Sequence, residues 1–131
     1  MAALSKRQVL LVDDDPAIRA CIAMLLEAAG YDVAAAEDGL EALLLLDKNT
    51  PDIVVSDLNM PRMSGVVLLS EIHRRFPQIV TIAMSGAYRN SDELPPEVIA
   101  HAFYSKGAPP RTLCGTLAQL LDAAPAPARS A

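Results

Sequence analysis

Residues 8–16 read Gln8-Val9-Leu10-Leu11-Val12-Asp13-Asp14-Asp15-Pro16, and the fold turns on how that stretch is parsed. Residues 8–12, Val and Leu without a break over 9–12, have the length and pattern of a strand covered on both faces. It passes directly into three aspartates. Asp15 followed by Pro16 is a helix start, an N-cap acceptor with proline at the first helical position. Ile18, Ile22, Leu25, Leu26 and Ala29 then recur at helical spacing, and Gly30 stands where a helix commonly ends.

The alternation continues outward from there. Residues 31–36 read as a second strand. Asp38 and Glu41 have capping-box spacing for a helix through about Lys48. Pro51 and Asp52 precede a third strand, Ile53-Val54-Val55-Ser56, which ends at Asp57. After a loop over 58–64, Gly65 opens a helix that carries Leu69, Ile72 and Phe76 inward and stops at Pro77. Residues 79–84 form a fourth strand and 102–105 a short fifth. Leu113, Leu117, Leu120 and Leu121 mark a last helix, in which Gly115 costs about 1 kcal/mol relative to alanine. The segment 87–100 departs from the pattern. Pro95-Pro96 stands where a fourth helix is due, and an interior proline costs about 3 kcal/mol or more. The expectation there is a loop and then a short helix over 96–100. Strands alternating with helices call for an α/β fold, a doubly wound five-stranded parallel sheet with right-handed crossovers and helices on both faces.

Length and composition bound the function. At 131 residues the chain fits one domain, with residues 1–7 as an N-terminal extension, 8–122 as the folded unit and 123–131 as a flexible Ala/Pro-rich tail. Hydrophobic residues at 52% against 21% charged exclude a disordered chain. Eleven Lys and Arg against sixteen Asp and Glu give a net charge of −5, which argues against nonspecific binding to nucleic acid or an anionic membrane. No apolar run approaches the ~18 residues of a membrane span. Lys6 and Arg7 precede an apolar run too short for a signal peptide. Cys21 and Cys114 have no metal-type spacing and read as reduced, mostly core thiols of a cytosolic protein.

Ligands of parallel sheets bind beyond the carboxyl ends of the strands. There the first strand offers Asp13-Asp14-Asp15, the third Asp57, the fourth Ser85 and the fifth Lys106, while Glu37-Asp38 after the second is assigned to capping. Two unit charges about 4 Å apart repel by about 4 kcal/mol at an effective dielectric near 20, so such a cluster needs compensating positive charge. Lys106 supplies one unit. Oxygen ligands without His or Cys favour a hard ion, Mg2+ or Mn2+. A neutralised oxygen cluster with a lysine is a receptor for a phosphoryl group. The plainer readings take other residues: Asp15 as an N-cap, His73 and His101 as structural or solvated, the methionines as filler, Arg74-Arg75 as a solvated helix end.

At these residues the chain resembles the receiver domain of bacterial two-component response regulators. The resemblance rests on residues 9–16, on Ser56-Asp57-Leu58-Asn59-Met60-Pro61-Arg62-Met63-Ser64-Gly65, on Met84-Ser85-Gly86 and on Tyr104-Ser105-Lys106, and covers about 8–121. It implies a flavodoxin-like sheet of order 2-1-3-4-5 with an irregular fourth helix. It implies that Asp57 is the phosphoacceptor for a sensor histidine kinase or phosphotransferase. Asp13, Asp14, Asp57 and the backbone carbonyl of Asn59 would hold Mg2+ (or Mn2+). Ser85 and Lys106 would bind phosphoryl oxygens, and Ser85 with Phe103 would form the switch. The chain would then be a bacterial cytoplasmic signalling module rather than an enzyme, assisting its own phosphorylation and dephosphorylation, monomeric or weakly dimeric, with an unnamed downstream protein target. Three positions depart from the family pattern: Gly107 replaces the proline after the lysine, Ser64 replaces an aspartate, and Pro95-Pro96 interrupts the fourth helix. Two other functions compete. One is a pseudo-receiver that docks without phosphate. The other is an aspartate-nucleophile phosphatase of the haloacid dehalogenase type, for which Asp13-x-Asp15 has the spacing but Ala17 is the wrong residue.

Overall fold

Parallel pairing of five short strands sets the frame. The structure, a computed structural model, describes residues 6–123, so most of the expected N-terminal extension and of the Ala/Pro-rich tail lie outside the described residues. In chain order the elements are β1 (Gln8–Val12), α1 (Pro16–Ala28), β2 (Asp32–Ala36), α2 (Gly39–Lys48), β3 (Ile53–Asp57), α3 (Gly65–Arg75), β4 (Val80–Ser85), a 3-10 turn (Ser91–Glu93), β5 (Ala102–Ser105) and α4 (Pro110–Ala123). The sheet order is β2-β1-β3-β4-β5 with every pair parallel. This is the flavodoxin-like arrangement, with its carboxyl ends on one edge.

Side-chain alternation along the strands divides the core into layers. Val9, Leu11, Val55, Ile82 and Met84 pack with Ile22 and Leu26 of α1 and with Leu113, Leu117 and Leu121 of α4. Leu10, Val12 and Val54 pack with Ala42 and Leu46 of α2 and Leu68 and Ile72 of α3. Each fully buried aliphatic side chain stabilises the fold by roughly 1.5–3 kcal/mol. Helix ends follow the local chemistry. Asp15 Oδ1 accepts from the N–H groups of Ala17 and Ile18 at 2.9 and 3.3 Å, and Gly30 takes the left-handed φ of 101° just after α1. Asp38 Oδ1 accepts from Glu41 N–H at 2.8 Å, whereas Glu41 returns to Glu37 N–H rather than to Asp38. No peptide bond among the described residues is cis, the one after Lys106 included.

Two expectations need correction. Residues 96–100 are not helical; the helical turn of this segment is the 3-10 turn at Ser91–Glu93, capped by Asn90. Pro95 and Pro96 have no N–H to give, and the Pro95 carbonyl closes only a single turn with Val98 N–H at 3.1 Å. An open cavity of about 530 Å³ lies between this segment, β5 and the start of α4. The cysteines are free but not mostly core: Cys21 is exposed and Cys114 half-buried. The buried stripe of α1 runs through Ile22 and Leu26, and one residue earlier on a helix points about 100° away from it.

Candidate functional site

Asp13 follows β1, Asp57 ends β3, Ser85 ends β4 and Lys106 follows β5. The register pairs Val12 with Ser56, Asp57 with Met84, and Ser85 with Ser105, so the strand direction alone gathers these residues on one edge. One carboxylate oxygen from each of Asp13, Asp14 and Asp57 lies within 4.8 Å of the others. Asp13 and Ser85 are fully buried and Asp57 is 3% exposed, while Asp14 faces solvent. The Lys106 ammonium sits between two carboxylates, 2.9 Å from Asp13 Oδ2 and 3.0 Å from Asp57 Oδ2.

Backbone donors and small residues hold these groups. Asp13 Oδ1 accepts from Asp15 N–H at 2.9 Å, and Asp57 Oδ1 from Asn59 N–H at 3.2 Å. Ser85 Oγ accepts from Ala87 N–H at 3.0 Å and from the Asn59 side-chain amide at 3.4 Å. Its own O–H donates to nothing among the described residues. Gly65 at the start of α3 lies against the Asp57 backbone, where an added Cβ would collide with the Asp57 carbonyl.

Electrostatics follow from that burial. Desolvation pushes the Asp57 carboxyl above its ordinary value; the Lys106 ammonium and the Asn59 amide pull it down without prevailing, and Asp13 adds to the rise. Burial alone would lower the Lys106 amine, but the Asp13 and Asp57 carboxylates beside it outweigh that and raise the amine above the usual lysine value. Three carboxylates against one ammonium leave two units of negative charge. Asp13 Oδ2 is buried and accepts no well-aligned hydrogen bond; the ammonium beside it is a charge contact rather than a directed bond. An all-oxygen donor set with that deficit fits a hard divalent cation.

The family model for the response regulator receiver domain matches residues 9–114. The chain belongs to that family. Among solved structures, the chemotaxis response regulator CheY4 of Vibrio cholerae superposes with a TM-score of 0.81 at 31% identity, covering 88% of this chain and 99% of that one. Two transcriptional regulators of Escherichia coli (strain K12) are similar over 78 residues, or 60% of this chain: GlrR at 39% identity and NtrC at 40%. The receiver spans only 18% and 17% of the length of those two proteins. Receiver domains of this family are phosphoacceptor signalling domains and not enzymes of the ordinary kind.

In this receiver the fold brings Asp13, Asp14, Asp57 and Lys106 into contact range and ties Ser85 to them through Asn59. Phe103 stands apart. It is half-buried and packs against Leu58, Leu69 and Ala83 together with Tyr88, Leu94 and Val98. Two arginines around this edge of the sheet make contacts that the sequence motifs do not predict. Arg19 Nη1 donates to the Asp13 carbonyl at 2.7 Å. Arg62 adopts a left-handed φ of 67° and places Nη2 2.9 Å from Asp38 Oδ2, joining the loop after β3 to the cap of α2. Met63 N–H bonds the Pro61 carbonyl at 2.7 Å, a three-residue turn centred on Arg62, whose only signal in the sequence is the turn-forming Pro61. Arg19 offered none.

Proposed function

We propose that this receiver, with residues 8–122 as its working unit, takes a phosphoryl group on Asp57 from the phosphohistidine of a sensor histidine kinase or phosphotransferase and thereby switches its binding to a downstream protein in the bacterial cytoplasm. In that transfer an Asp57 carboxylate oxygen forms a bond to phosphorus as the nitrogen–phosphorus bond breaks, and the imidazole keeps the electron pair. Asp13, Asp14, Asp57 and the Asn59 backbone carbonyl are the groups that would hold Mg2+, or Mn2+ in its place. A bound divalent ion supplies two positive charges to the oxygens of the nucleophile and of the phosphoryl group.

The observation that carries the reading is the Lys106 ammonium shared between two buried carboxylates from different strands. In the phosphorylated protein that ammonium pairs with a phosphoryl oxygen, and burial of the site makes the interaction strong. The Ser85 hydroxyl donates to a second phosphoryl oxygen, which costs it neither of the hydrogen bonds it accepts. Asp57 is held at 3% exposure, so its nucleophilic oxygen is poorly hydrated and needs little desolvation before attack. Phe103, next to the cavity, takes the space vacated when Ser85 and the following loop close on the phosphoryl group.

The reading is tested with acetyl phosphate and Mg2+. Acid-labile label should appear on the wild-type chain and be absent from Asp57→Asn; equal labelling of that variant would remove Asp57 from the role. Withdrawal of the metal with EDTA should abolish labelling.

A further inference from the structure

The backbone carbonyl of Asp13 lies where β1 has ended and α1 has not begun, so neither ladder nor helix supplies it a donor. The rest of the residue is pinned: its N–H donates to the Ala36 carbonyl at 3.2 Å and its Oδ1 accepts from Asp15 N–H. The carbonyl is met by Nη1 of Arg19 at 2.7 Å, the short end of the range for a charge-assisted bond. Arg19 stands one turn into α1, its own N–H bonded to the Asp15 carbonyl at 2.9 Å, so the helix that Asp15 starts fixes where the guanidinium begins. Three carboxylates lie within six residues of it, yet among the described residues Arg19 forms no ion pair. Its half-buried side chain is directed at backbone instead.

We infer that Arg19 is the positioning residue of the cation-binding turn: by gripping the Asp13 carbonyl it sets the direction in which the Asp13 and Asp14 carboxylates leave β1. The inference rests on the proposed reading of those carboxylates as cation ligands and adds a residue outside the ligand set. Charge alone gives the opposite expectation. A guanidinium repels a divalent cation, so deleting it makes the site more negative and should tighten binding. Loss of an orienting contact behind a metal ligand instead weakens affinity, typically 10–100-fold. The sign of the change therefore separates positioning from electrostatics.

The experiment is a Mn2+ titration of the full chain followed by the electron paramagnetic resonance of free Mn2+, for wild type, Arg19→Met and Arg19→Lys. Methionine keeps the apolar stem without donor or charge; lysine keeps the charge and one donor on a shorter stem. Arg19→Met should bind Mn2+ about tenfold or more weakly, and Arg19→Lys should fall between it and wild type. In the metal-free protein the Asp15 amide resonance should shift in Arg19→Met, because its acceptor is Asp13 Oδ1. Unchanged or tighter Mn2+ binding by Arg19→Met would overturn the inference, and if that variant does not fold, binding by Arg19→Lys equal to or tighter than wild type does the same. A wild-type chain that binds no Mn2+ would instead overturn the reading of the carboxylates as ligands.

Discussion

Lys106 and Asp57 have opposed reasons to be charged. The amine is raised by two carboxylates despite burial, so the stability it adds is complete below the ordinary lysine value of 10.5 and is lost as pH climbs through its higher folded value. Asp57 is raised because desolvation outweighs its partners. Its ionised form therefore weakens the fold, and stability returns as pH falls through the raised value toward 3.8. From this, Asp57→Asn should be more stable than wild type to urea at pH 7, with the advantage shrinking as pH approaches 4. A variant less stable at pH 7 would contradict the assignment of burial as the governing cause. Lys106→Ala leaves two buried carboxylates uncompensated and should lose about 3 kcal/mol at pH 7, part of it recovered on acidification; urea titrations at two pH values read both. At this scale the sequence was informative wherever strand direction alone decides position. Asp13, Asp57, Ser85 and Lys106 each end or follow an apolar run, so one rule about parallel sheets gathers them. Arg19 could not be found in that way, because a long side chain bonded to a backbone carbonyl leaves no spacing pattern. Cys21 departs from expectation for a related reason: thiols are commonly buried, but the phase of α1 turns this one outward.

Gly65 couples an element boundary to the site. A Cβ there would strike the Asp57 carbonyl and crowd Leu58, so α3 can start close under β3 only with glycine at its first position. Gly65→Ala should cost about 3 kcal/mol, the upper range for forced overpacking, and should slow phosphorylation by acetyl phosphate as the Asp57 backbone shifts. Urea unfolding with a labelling assay checks both, and a variant of wild-type stability would show that the collision is relieved elsewhere. The other boundaries were legible from similar local chemistry. Asp15-Pro16, Gly30, Asp38 and Pro77 each stop or start an element where a cap or a missing N–H requires it. The segment before β5 was not, because two signals compete there. Pro96 is acceptable at a helix start, but the helix it would open has no room. His101 N–H is already committed to the Thr81 carbonyl at 2.9 Å as β5 begins, and so short a stretch cannot offset helix nucleation. Asn90 and Glu93 carried the better signal, a capping-box spacing. In both boxes the glutamate reaches back four residues, to Glu37 N–H and to Arg89 N–H at 2.6 Å.

At the scale of the whole molecule, stability is unevenly distributed, and the uneven part adjoins the site. Every residue of β3 and β4 is buried, whereas none of residues 86–101 is. That stretch is held by a few loop bonds, among them Glu93 to Asn90 and Leu94 to Ser91, both at 3.2 Å, and by Tyr88, Leu94 and Val98 resting on a small cluster that includes Phe103. Segments with few buried apolar contacts open without global unfolding. Amide exchange over 87–100 should therefore report opening at least about 2 kcal/mol less costly than in β3 and β4. One end of the stretch is tied to the site through Ala87 N–H and Ser85 Oγ, so a phosphoryl group that draws Ser85 inward acts first on this soft segment and on the Phe103 beneath it. With beryllofluoride and Mg2+ as a phosphoryl mimic, protection should change in 87–100 and around Phe103 before any change in α1, α2 or α3. Exchange that is uniform across the molecule, or a mimic response that begins in the helices, would show that the proposed switch does not run through the segment that lacks its helix.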